Sequence, residues 1–131
     1  MSINSQQYAQ NEAWILFQLS DATVQTKMDG NFHVLALLDV ASGLIHGMEF
    51  VSSSAEELSE FEAKKLLNSA EAKAGTKPKY LFVDAAQEHV RLKRAATALG
   101  IKTIPEAGRS FEHLTEEARM GFAAHVNMGS E

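Results

Sequence analysis

A chain of 131 residues and 14.3 kDa has room for one domain, large enough to bury roughly 65 to 70% of its unfolded surface, and no second independent core fits within that length. With 45% hydrophobic and 22% charged residues, it is too apolar to be disordered. Its 12 basic and 17 acidic residues leave a net charge of −5, which argues against a surface that is basic throughout.

The charge is unevenly spread: residues 1–53 carry −4, residues 54–104 carry +2 and residues 105–131 carry −3. Only the middle third can offer a basic face, and Arg91, Lys93 and Arg94 within it are the candidates for following a phosphate backbone, against the plainer reading of a solvated helix face. No apolar run reaches the roughly 18 to 20 residues of a membrane span, and no secretory leader is evident, so the expected location is cytoplasmic. The absence of cysteine excludes disulfides, thiolate metal sites and thiol nucleophiles together. His33, His46, His89, His113 and His125 show no ligand spacing for zinc. Phosphate-loop, dinucleotide and serine-hydrolase motifs are all missing.

In chain order, residues 1–12 are polar and without periodicity, and read as a flexible arm outside the core, with the domain occupying residues 13–131. Residues 14–19 form a short apolar run of β-favouring type that ends at Ser20-Asp21-Ala22-Thr23, the pattern of a buried strand closed by an aspartate. Met28-Asp29-Gly30-Asn31 is a turn, and the apolar runs 32–40 and 44–51 flank Ala41-Ser42-Gly43 as a hairpin. Asp39 falls in that hairpin turn, where turn chemistry accounts for it. Ser54-Ala55-Glu56-Glu57 has capping-box form, followed by Leu58, Phe61, Leu66 and Ala70 as the apolar face of a helix that stops at Gly75.

After Pro78, the run Tyr80-Leu81-Phe82-Val83 is a second strand that stops at an aspartate, Asp84. Val90, Arg91, Ala95, Ala98 and Leu99 mark a helix ended by Gly100. Residues 101–104 form a fifth strand stopped by Pro105, and Phe111, Leu114, Ala118, Phe122 and His125 share one face of a final helix. The order β-β-β-α-β-α-β-α predicts an α/β fold: a five-stranded mixed sheet flanked by helices, with residues 14–19 central, antiparallel to 32–40 and parallel to 80–83. Ligands of open α/β sheets bind at the carboxyl ends of parallel strands. Asp21 and Asp84 are both there.

These residues resemble the catalytic core of retroviral-type integrases and DDE transposases. The likeness rests on Asp21-Ala22-Thr23 after the first strand, Leu38-Asp39-Val40-Ala41-Ser42-Gly43-Leu44-Ile45 across the hairpin, Lys79-Tyr80-Leu81-Phe82-Val83-Asp84 and Leu99-Gly100-Ile101. It covers about 100 residues and implies a ribonuclease H-like fold. It also implies a site of three carboxylates, Asp21, Asp84 and a helical glutamate, that holds Mg²⁺ or Mn²⁺ and acts on DNA phosphodiesters. Glu112, in Arg109-Ser110-Phe111-Glu112-His113, matches the helical glutamate best; Glu116 and Glu117 lie nearer the family's usual spacing. Family members follow the second aspartate with Asn-Gly, where this chain has Ala85-Ala86-Gln87-Glu88, and their turn arginine is Gly43 here. The competing reading is a non-catalytic ribonuclease H-like module that binds a protein partner or assembles a homo-oligomer.

Overall fold

The computed structural model describes residues 3, 5–19, 24–26, 30–52 and 57–129, with the backbone alone for 5, 24–26, 30–32 and 122–129. Strand β1 (Ala13–Gln18) is buried on both faces, as a continuous apolar run requires. Trp14 and Leu16 point to one side of the sheet, and Ala13, Ile15 and Phe17 to the other. β1 pairs antiparallel with β3 (Gly30–Asp39) and parallel with β5 (Tyr80–Asp84), so the expected central position holds. Strand β4 (Ile45–Ser52) extends the sheet beyond β3, and β6 (Lys102–Glu106) runs parallel to β5 at the other edge. To these five strands the chain adds a short sixth, β2 (Val24–Thr26), paired with the start of β3. The turn expected at Met28-Asp29 and the segment 20–23 that contains Asp21 lie outside the described residues.

Helices α1 (Glu60–Ala74) and α2 (Val90–Ala98) cover one face through Ala63, Leu66, Leu67, Ala70, Leu92, Ala95 and Ala96. Gly47 lets α1 approach, since a Cβ there would sit 3.2 Å from Leu66 Cδ1 and 3.3 Å from Ala70 Cβ. Helix α3 (Glu112–Gly129) and the N-terminal residues cover the opposite face, with Ile3, Phe111, Leu114 and Ala118 in its core.

Several local expectations are corrected. Ser59, not Ser54, caps α1: its Oγ accepts from the Glu62 N–H at 3.1 Å, and Glu62 Oε1 accepts from the Ser59 N–H at 2.9 Å. Both serines stand three residues before a glutamate, but Leu58, buried just ahead of Ser59 in the α1 core, selects the later start; Ser54 to Glu56 lie outside the described residues. Phe61 is 75% exposed, because the buried stripe of α1 runs through residues 63, 66, 67 and 70 instead. Pro105 does not stop β6 but sits within it, paired with Val83. An edge strand tolerates a residue without an N–H on its outer side.

Residues 1–12 are not outside the core throughout. Ile3 is 7% exposed, and the Tyr8 ring meets Tyr80 and Phe82 edge-on at 6.3 and 5.7 Å. Two isolated apolar residues carry no periodicity for a sequence reading to detect.

His46 occupies a bulge where the β3–β4 register shifts. Its ring is buried 5.4 Å from the Trp14 ring, and neither nitrogen has a partner among the described residues. Burial lowers its pKa below the ordinary imidazole range; Asp39 opposes that shift and Lys73 adds to it. The unfolded chain therefore takes up a proton near pH 6.5 that the folded chain resists. Stability is full above about pH 7 and falls as the pH drops toward the lowered pKa. Urea unfolding at about pH 7.5 and 5.5 should show a lower midpoint in acid, with a smaller drop in His46→Leu.

Candidate carboxylate cleft

The parallel strands β1 and β5 end side by side, and a cleft of about 470 Å³ opens beyond their carboxyl ends. Its floor includes Leu16, Phe17 and Gln18, and Asp84, Gln87, His89, Gly108, Glu112 and Arg119 surround it. Asp84 and Glu112, far apart in sequence, thus line one cleft. The interval between them is occupied by α2, β6 and a 3₁₀ turn, Gly108–Ser110.

Asp84 is held on two sides. Its Oδ1 accepts from the Ala86 N–H at 2.9 Å, and its main-chain carbonyl accepts from the Gln87 N–H at 3.0 Å. The aspartate thereby closes the turn that follows its own strand. Its Oδ2 lies against Gly108, where a Cβ would come within 2.7 Å. Gly108 is therefore required for closeness rather than for an unusual φ. Gly108→Ala should displace the Asp84 carboxylate from the Ala86 N–H. Because the clash is with a side-chain end, the stability loss should stay within about 1 kcal/mol. Urea unfolding and the chemical shift of the Ala86 amide, which should move toward that of a free N–H, would check this.

Glu112, the first residue of α3, is exposed at the rim. Arg119 is fixed within the cleft: its Nε donates to the Gln18 carbonyl at 3.0 Å, and its guanidinium carbon lies 5.4 Å from the Phe17 ring centroid. His89 adopts a left-handed backbone, φ 42 and ψ 43, uncommon for a residue with a side chain. Its Nδ1 is buried without a partner among the described residues. Burial lowers its pKa, and nearby Glu57 and Asp84 counteract this in part.

The site residues expected from the sequence divide as follows. Asp84 and Glu112 come together, while Asp21 lies outside the described residues. Glu116 and Glu117 are exposed on α3, and neither lines the cleft. Arg91 and Arg94 border a small groove between α1 and α2 with Lys64. Lys93, two residues along the helix from Arg91, faces elsewhere and acts electrostatically on His89. Asp39 is fully buried in the hairpin turn, away from the cleft. Sequence reasoning missed Gln87, His89, Gly108 and Arg119. Arg119 had a usable signal, since it stands seven residues after Glu112 and so returns to the same helix face.

The catalytic core domain of HTLV-2 integrase, in complex with magnesium and in a trimeric form, superposes with a TM-score of 0.63 at 17% identity. The match covers 90% of this chain and 70% of that one. This chain has the fold of an integrase catalytic core. The simian T-cell lymphotropic virus intasome, in complex with PP2A regulatory subunit B56 gamma, gives a TM-score of 0.62 at 15% identity, covering 92% of this chain and 43% of that one. The catalytic core domain of BIV integrase gives 0.54 at 11% identity, over 84% and 65%. No family model matches the sequence, and no curated protein does. The expected ribonuclease H-like fold and mixed sheet of five strands are thus present, with β2 added as a short sixth strand. Among the described residues, no helix is long and apolar enough to cross a membrane.

Proposed function

We propose that the chain is an integrase- or transposase-like core that acts on DNA phosphodiesters with Asp21, Asp84 and Glu112 as ligands of Mg²⁺ or Mn²⁺. The observation that carries this reading is the sharing of one cleft by Asp84 and Glu112 at the carboxyl ends of β1 and β5. The donor chemistry fits a hard cation, because both ligands offer oxygen, and Asp84 Oδ2 meets no hydrogen-bond donor among the described residues. Among those residues no three His, Asp or Glu side chains converge on one point, so the set is complete only with Asp21, which comes three residues after β1 in the sequence. Bound there, the cations would polarise the phosphodiester and activate the attacking water or hydroxyl.

The chain's own residues have separate tasks. Asp84 is oriented by Ala86 and Gly108 before any ligand arrives, which limits the reorganisation that binding requires. Arg119 holds a positive charge in the same cleft, where it would receive a phosphate oxygen through the nitrogens that Gln18 does not use. Arg91 and Arg94 would follow the backbone further out, and affinity through them should fall as salt rises.

A second reading, a non-catalytic module for a protein partner or a homo-oligomer, is favoured by the fixed Arg119 charge beside only two described carboxylates and by the overall charge of −5. Incubating double-stranded oligonucleotides with the protein and Mn²⁺ at low salt separates the two. The enzymatic reading expects strand cleavage or joining; binding without chemistry, or no binding, favours the module.

A further inference from the structure

The 3₁₀ turn Gly108–Ser110 stands between the two carboxylates: Gly108 backs Asp84, and two residues after Ser110 comes Glu112. Its own bonds are few, Ser110 N–H to the Ala107 carbonyl at 2.8 Å and Phe111 N–H to the Gly108 carbonyl at 3.2 Å. What ties it down from beneath comes from the far end of the chain. The Ile3 N–H donates to the Ser110 carbonyl at 2.8 Å, and the Ile3 side chain is buried in one cluster with Ile15, Phe82 and Phe111. Tyr8 holds the same segment against Tyr80 and Phe82, on the strand that ends at Asp84.

We propose that Ile3 is a positioning residue for the carboxylate cleft, fixing through Ser110 the turn that sets Asp84 and Glu112 relative to each other. The proposal rests on the reading of those two carboxylates as a site. Whatever displaces Ile3 and Tyr8 from their places beside Phe82 of β5 then loosens the turn and lowers cation affinity without unfolding β1. The N-terminal segment thereby becomes a control on the cleft.

The test compares the wild type with Ile3→Ala and Ile3→Leu, by amide hydrogen exchange and by Mn²⁺ titration. In Ile3→Ala, protection at Ser110 and Phe111 should fall about tenfold more than at Ile15 and Leu16 in β1, a local opening rather than a global one. Mn²⁺ affinity should fall several-fold alongside, and Ile3→Leu should restore both. Should Ile3→Ala not fold, Ile3→Val carries the same comparison. Equal loss of protection in β1 and the turn, or a loosened turn with unchanged Mn²⁺ affinity, overturns the proposal. A wild type that binds no Mn²⁺ defeats the reading of the site alone: selective loosening at Ser110 and Phe111 then still upholds the coupling of Ile3 to the turn.

Discussion

Asp39→Ala is expected to lower stability by about 2 to 3 kcal/mol while leaving the cleft untouched. The Asp39 side chain is fully buried and satisfies three donors. Oδ1 accepts from the Asn11 N–H at 2.9 Å, and Oδ2 accepts from the Ser42 N–H at 3.1 Å and the Ser42 hydroxyl at 2.6 Å. Alanine leaves those donors without their acceptor, and the Asn11 N–H is the least able to turn to water because it is partly buried. Asparagine keeps one acceptor oxygen but presents an amide NH₂ to donors on the other side, so Asp39→Asn should fall between wild type and Asp39→Ala. Trp14, the only tryptophan, reports the change directly, since its Nε1 donates to Asn11 Oδ1 at 3.3 Å. Urea unfolding followed by its fluorescence gives the number. A cation response unchanged in Asp39→Ala would separate this aspartate from the cleft.

The second large effect concerns chemistry rather than folding. Asp84→Asn should keep the fold, with stability within about 0.5 kcal/mol of wild type, because the amide oxygen can still accept from Ala86 and the volume is unchanged. It removes the anionic oxygen that lies over Gly108, and with it the ligand proposed to hold the cation. Losing a residue that only supports a ligand costs roughly 10- to 100-fold in affinity or activity, so Mn²⁺-dependent cleavage in Asp84→Asn should fall by more than that. Glu112→Gln should reduce cleavage in the same direction. An Asp84→Asn protein as active as wild type would remove Asp84 from the reaction.

The fold was legible in the sequence where burial dictates composition. The run of residues 14–19 is apolar on both faces because β1 is central, and Gly75 and Gly100 end their helices at φ 82 and 81. Less visible was anything decided by contacts between distant segments. Ile3 and Tyr8 follow no period, and only the folded chain brings Ile3 to Ser110. Phe61 was expected inside because it is large and apolar, yet its angular position on α1 leaves it in solvent. Of the cleft, Asp84 and Glu112 were legible as a strand end and a helix start. The demand on Gly108 was not, since it arises from an aspartate 24 positions earlier.

The central claim, that Asp84 belongs to a cation site, is tested most directly by thermal melts of wild type and Asp84→Asn with and without millimolar Mn²⁺. A cation at about ten times its Kd stabilises the folded state by about 1.4 kcal/mol, which for a domain of this size raises the Tm by roughly 5 °C. The wild type should show that rise and Asp84→Asn should not. An unchanged wild-type Tm, or an equal rise in both proteins, would contradict the account.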